Sequence, residues 1–206
     1  MFNLFTRTNK GEFNIRVPES WHETTVDQFQ RLVKSQATSG EWIEIFSIIT
    51  GIEATRISES TSHKLEKEIY KVVRYVLDPA WSWDALKLKN EFVLQPMFFD
   101  SEDENTWRPH RVKIDKNVGR MSVGQMIQAR RSLQELKDIR EGMSIVTAIY
   151  LQPLIDHGKF DMLRVIEIER IILKMKITDV YPLGFFLLRR LTRNGNVFTR
   201  LLNLLR

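Results

Sequence analysis

Thr25-Val26-Asp27-Gln28 and Ser122-Val123-Gly124-Gln125 stand 97 residues apart in two similar stretches of the chain. At that spacing Ile15-Arg16-Val17 falls on Val112-Lys113-Ile114, and Phe29 falls on Met126. A second match follows at a spacing of 100, where Ile45-Phe46-Ser47 meets Ile145-Val146-Thr147 and Ile49 meets Ile149. The drift of three residues fits a loop insertion between helices. A unit copied within one chain packs against its copy around a shared core. The sequence therefore predicts an internally duplicated strand-turn-helix-helix unit, its first half over residues 1–90 and its second over 91–206. Two copies imply one pseudo-symmetric domain rather than a solenoid.

The repeated tetrad is explained by the chemistry of helix starts. In a capping box, Thr25 or Ser122 accepts a bond from the backbone N–H three residues on, and Gln28 or Gln125 reaches back to the N–H of the capping residue. Met121 and Met126 stand where a hydrophobic staple belongs. The motif speaks to architecture and not to catalysis.

The remaining pattern predicts an α+β fold, mostly helical with a small antiparallel sheet. Phe13, Ile15 and Val17 alternate with polar neighbours and read as a strand ended by Pro18. Helices are expected from residue 25 to about 36, from 41 to 50 with Gly51 as the stop, and from about 58 to 77. Residues 92–99 and 107–114 read as two strands of a hairpin, joined by an acidic tip at Asp100-Ser101-Glu102-Asp103-Glu104. Further helices are expected near 122–139, 143–156 and 160–176, with Pro153 limiting or kinking the middle one.

Charge is distributed unevenly. The net charge of +5 arises wholly after Leu183, where Arg189, Arg190, Arg193, Arg200 and Arg206 occur without one Asp or Glu. Setting those five aside leaves 26 basic residues against 26 acids. The same segment is rich in Leu and Phe, and Asn194-Gly195-Asn196 divides it into two short helices. Such an end can complete the chain's own core with its arginines snorkelling outward, dock on a neighbouring subunit, lie on a membrane surface or touch nucleic-acid phosphate. Phe185, Phe186, Arg189, Arg190, Arg193, Phe198, Arg200, Leu201 and Leu205 are the candidate partner-binding residues.

Signals of catalysis are sparse. The chain has no cysteine, so thiolate metal sites, thiol nucleophiles and disulfides are excluded. His22, His63, His110 and His157 lack the spacing that puts two imidazoles on one face as metal ligands. The acidic tip at 100–104 lacks the EF-hand's spacing and central glycine and reads as a solvated turn. There is no phosphate-cradling glycine loop and no Gly-x-Ser-x-Gly elbow. Trp81, Trp83 and Trp107 are not interleaved with basic residues, so packing is expected of them rather than base stacking. No apolar run reaches the length of about 18 residues that a spanning helix needs, and the start at Met1-Phe2-Asn3-Leu4 lacks a basic region ahead of an apolar one. The expectation is a non-enzyme without metal or cofactor and without a membrane span.

Read in order, five segments resemble small proteins encoded in the structural gene cassettes of tailed bacteriophages, crAss-like phages especially. They are Val17-Pro18-Glu19-Ser20-Trp21, Thr25-Val26-Asp27-Gln28-Phe29, Ile45 through Ile52, Met121 through Met126, and Tyr181-Pro182-Leu183-Gly184-Phe185-Phe186. The resemblance implies a virion protein assembled in the host cytoplasm, a subunit of a homo-oligomeric ring in the head-tail connector or tail, in contact with other tail or connector proteins. It equally fits a tail assembly chaperone absent from the finished particle. A third reading, an internal or packaging protein that contacts DNA, rests on the C-terminal arginines. Under the ring reading, truncation before Tyr181 is expected to abolish assembly while leaving most of the fold.

Overall fold

Both tetrads form the predicted capping box. The Thr25 N–H donates to Gln28 Oε1 at 2.8 Å, and the Gln28 N–H donates to Thr25 Oγ1 at 3.2 Å. The Ser122 N–H donates to Gln125 Oε1 at 2.9 Å, and the Gln125 N–H donates to Ser122 Oγ at 3.2 Å. Each box opens a helix, α1 over Val26–Ser35 and α5 over Val123–Gln134. In this computed structural model, residues 2–8, 11–35, 42–60, 63–78, 81–94, 109–114, 121–134 and 136–193 are described.

The architecture is α+β, mostly helical, with small antiparallel sheets. The chain divides into two compact units, one of residues 1–85 with 176–178 and the other of 86–175 with 179–206. In the first, β1 (Phe2–Thr8) pairs antiparallel with β2 (Gly11–Val17), with Phe2 opposite Val17 and Thr8 opposite Gly11. The helices α1, α2 (Trp42–Thr50), α3 (Ala54–Ser60) and α4 (His63–Val73) follow, with a 3-10 turn over Arg74–Leu77. Gly51, at φ +74°, takes the left-handed conformation that ends α2. Of the helix expected over 58–77, residues 58–60 fall in α3, 63–73 in α4 and 74–77 in the 3-10 turn, and residues 61–62 lie outside the described residues. Residues 176–178 join this unit through a bridge between Lys176 and Thr25 and through the Ile177 N–H, which donates to the Thr24 carbonyl at 2.8 Å.

In the second unit, β3 (Glu91–Leu94) pairs antiparallel with β4 (His110–Lys113). These strands lie inside the expected hairpin; its acidic tip falls outside the described residues. The helices are α5, α6 (Met143–Asp156), α7 (Met162–Lys174) and α8 (Ile177–Arg193). A 3-10 turn over Ile139–Gly142, closed by an Asp138–Glu141 capping box, leads into α6. Nearly every side chain of α6 from Met143 to Gln152 is buried, as expected of a helix apolar on all sides. Its buried polar groups are satisfied: Thr147 Oγ1 donates to the Met143 carbonyl at 2.7 Å, and Gln152 Oε1 accepts from the Asp161 N–H at 3.1 Å.

The capping glutamines do more than cap. Gln28 Nε2 donates to the Ile49 carbonyl of α2 at 2.5 Å, and Gln125 Nε2 donates to the Ile149 carbonyl of α6 at 2.7 Å. Neither carbonyl has the usual helical partner four residues on. Ile49 lies in the last turn of α2, whose carbonyls are left over. Ile149 lies four residues before Pro153, which has no N–H to give. Pro153 therefore does not stop α6, which runs on to Asp156; it frees a carbonyl that Gln125 takes. Each unit thus holds a strand, a capped helix and a second helix clamped to the first by the capping glutamine.

The C-terminal segment requires a correction. The apolar run begins after Pro182, but α8 starts at Ile177 and carries Pro182 inside it. It is one helix as far as Arg193, and the break expected at Asn194-Gly195-Asn196 lies outside the described residues. Val180, Tyr181, Leu183, Leu187, Leu188 and Leu191 are buried, so this helix completes the core of its own unit. Gly184 permits the approach: a Cβ there would stand 2.2 Å from Met143 Cγ and 3.1 Å from Thr147 Oγ1. Truncation before Tyr181 would therefore not spare the fold.

Candidate interaction surface

Sequence periodicity places the buried row of α8; what remains on the other side of that helix is the candidate surface. Arg189 and Arg190 are exposed, and Phe185 and Phe186 are half-buried. The Phe185 ring stacks on Tyr181 at 5.3 Å between centroids, and the Arg190 guanidinium lies 5.5 Å from the centre of the Phe186 ring. Arg193 ends the helix. Phe198, Arg200, Leu201 and Leu205 lie outside the described residues.

A second feature of the same unit was not singled out by sequence reasoning. On α7, Leu163 is 74% exposed and Ile166 41%, and they share one face at a spacing of three residues. Val165, Ile168 and Ile172 of the same helix are fully buried. The signal was present in the sequence, because Met162-Leu163, Val165-Ile166, Ile168 and Ile171-Ile172-Leu173 are more apolar residues than one buried stripe uses. Leu154, near the end of α6, is also exposed. Beside them, Arg164 bonds Asp156 at 3.3 Å and Glu167 at 2.7 Å.

Two carboxyl groups in this unit have shifted acidities of opposite sign. Glu169 of α7 faces α6, where it accepts from Ser144 Oγ at 2.7 Å; burial pushes its pKa up, against the opposing effect of that bond. Asp138 is held below the usual carboxylate range, first by its side-chain hydrogen bond from the Arg140 guanidinium.

The first unit is ordered around aromatic rings. Buried Trp21 meets Trp83 at 4.9 Å, Tyr75 at 5.3 Å and Phe29 at 5.8 Å, and Trp81 joins through Trp83 at 5.7 Å. Trp81 and Trp83 are thus packing residues; Trp107 lies outside the described residues. Burial raises the Tyr75 phenol to about 12, while its hydroxyl bonds Thr24 Oγ1 at 2.8 Å. Glu19, Glu68, Lys71, Arg74 and Asp78 line an open groove of about 690 Å³ with mixed charge. Among the described residues there is no group of three or more His, Asp or Glu side chains able to hold a metal ion, and no helix long and apolar enough to cross a membrane. His22 is exposed, His110 lies on β4 and His157 follows α6 at φ 49°.

The chain matches no known protein family, no curated protein and no solved structure.

Proposed function

We propose that this chain is a non-enzymatic virion protein of a tailed bacteriophage, a subunit of a ring in the head-tail connector or tail. The ordered run of segments from Val17 to Phe186 that resembles phage structural-cassette proteins motivates the phage assignment. The observation that carries an assembly role is the exposed apolar face of α7, Leu163 with Ile166, on a unit whose core is already filled by α6 and α8. Exposed apolar side chains grouped on one helix face are the kind of surface that a protein contact covers. A ring closes through two different surfaces per subunit that fit each other head to tail. We further infer that the two units are copies of one ancestral element, each retaining the glutamine clamp while differing outside it, which gives one chain two unlike faces.

The test is light scattering of the purified protein, paired with mass spectrometry of DNA-filled particles. A ring-sized species, reduced to monomer by Leu163→Glu with Ile166→Glu while the far-ultraviolet dichroism is unchanged, is the expected result. Absence from particles together with recovery on tail precursors in lysate would replace the ring reading with that of an assembly chaperone.

A further inference from the structure

We propose that the surface where α5 meets the C-terminal end of α8 contacts the sugar-phosphate backbone of nucleic acid. Arg130 Nη2 of α5 donates to the Leu191 carbonyl of α8 at 3.2 Å, joining helices 61 residues apart in sequence. Neither helix brings a carboxylate to the joined surface. Val123–Gln134 contains no Asp or Glu, and α8 contains none after Asp179. Arg131, Arg189 and Arg190 are exposed, and among the described residues no carboxylate pairs with any of them. The chain after α5 does bring Glu135, Asp138 and Glu141: Glu135 lies outside the described residues, Asp138 is engaged by the Arg140 guanidinium, and Glu141 accepts from the Asp138 N–H at 3.1 Å. Sequence alone locates the charge surplus at the C-terminal end; the fold adds a second acid-free helix to it.

The chemistry of this surface favours phosphate over a protein partner. Leu187, Leu188 and Leu191 are turned into the core, and the Phe186 ring is already covered by Arg190. A protein interface draws its energy from a central apolar or aromatic anchor seated in a pocket, which these arginines lack. Phosphate contacts need only charge and the forked N–H donors of guanidinium, and they carry no sequence information. Three guanidinium groups with no carboxylate partner among the described residues correspond to about three phosphates, so log K should fall against log salt with a slope of about −2.7. The site uses neither Leu163 nor Ile166, and it stands or falls independently of the ring reading.

The test is fluorescence anisotropy of the full chain with a labelled DNA duplex of random sequence, from about 50 mM to about 200 mM salt. The expected result is salt-sensitive binding that weakens at least about tenfold, with a slope near zero, in Arg131→Gln with Arg189→Gln and Arg190→Gln. Replacing all three by Lys should keep the slope and most of the affinity, losing only what the guanidinium fork adds, which separates charge from any effect on the fold. Removing three exposed bases of the other unit, by Lys34→Gln, Lys67→Gln and Arg74→Gln, should change affinity less than about twofold. Equal loss in that control, no binding by the unaltered chain, or displacement of the duplex on equal terms by polyglutamate or anionic lipid vesicles would overturn the proposal.

Discussion

Glu169 shows how a single buried carboxyl writes a pH dependence into one helix pair. Burial raises its pKa above the ordinary 4.5, and the Ser144 hydroxyl is its bonded partner. A raised pKa means that the folded state holds the proton more tightly than the unfolded chain does. The resulting stability is fully present below the unfolded pKa and is lost as pH rises through the folded one. Glu169→Gln keeps an acceptor for Ser144 and removes the charge. It should therefore be more stable than the parent in denaturant melts near neutral pH, with the gain shrinking to nothing toward pH 4.5. An equal effect at both pH values would mean that the charge is not what the site penalises. Asp138 has the opposite sign: its depressed pKa supplies stability above the ordinary 3.8 that fades as pH falls through the folded value. The two groups thus act in different directions across the same acid range.

At the scale of elements, the glutamine clamp explains why a proline is tolerated within the most deeply buried helix. Pro153 denies the Ile149 carbonyl its helical donor, and Gln125, only 6% exposed, supplies one at 2.7 Å. Gln125→Ala should cost about 1–3 kcal/mol by leaving a buried carbonyl unpaired. Pro153→Ala restores an N–H four residues on, so the cost of Gln125→Ala should be smaller in that background. A double-mutant cycle reads the coupling directly, and strict additivity would show that the two residues do not share the carbonyl.

The sequence exposed the two ends of this clamp separately, as a repeated capping tetrad and as the match of Ile49 with Ile149. It did not expose their contact, because a hydrogen bond between helices leaves no periodic trace. Local signals were read well where they are strong, as at the two capping boxes and at Gly51. They failed where tertiary packing overrides them. The apolar run of the sequence starts at Leu183, yet α8 begins at Ile177 and passes through Pro182, because Val180, Leu183, Leu187 and Leu188 have a core to enter. β1 carries no clean strand signal, because Phe5 next to Leu4 breaks the alternation that Phe2-Asn3-Leu4 begins, although Asn9-Lys10-Gly11 offers turn residues before β2. Of the candidate surface, the arginines of α8 were legible from composition. Arg130 and Arg131 were not, since only the fold brings α5 to them.

At the scale of the molecule, the C-terminal helix has a structural duty that any assembly experiment must respect. Ending the chain at Val180 removes Tyr181, Leu183, Leu187, Leu188 and Leu191 from the core of the second unit. At about 1.5–3 kcal/mol for each fully buried side chain, the loss is on the order of 10 kcal/mol, comparable to the whole stability of a typical domain at about 5–15 kcal/mol. It also uncovers Met143 and Thr147, which pack against Gly184. The truncated chain should lose amide hydrogen-exchange protection along α6, and its failure to form rings would then report unfolding rather than a missing docking surface. Leu163→Glu with Ile166→Glu alters only exposed positions, so the same amides should stay protected while assembly fails. Retained protection of α6 in the truncated chain would show that α8 is dispensable to the core, and would return the C-terminal segment to a role in assembly alone.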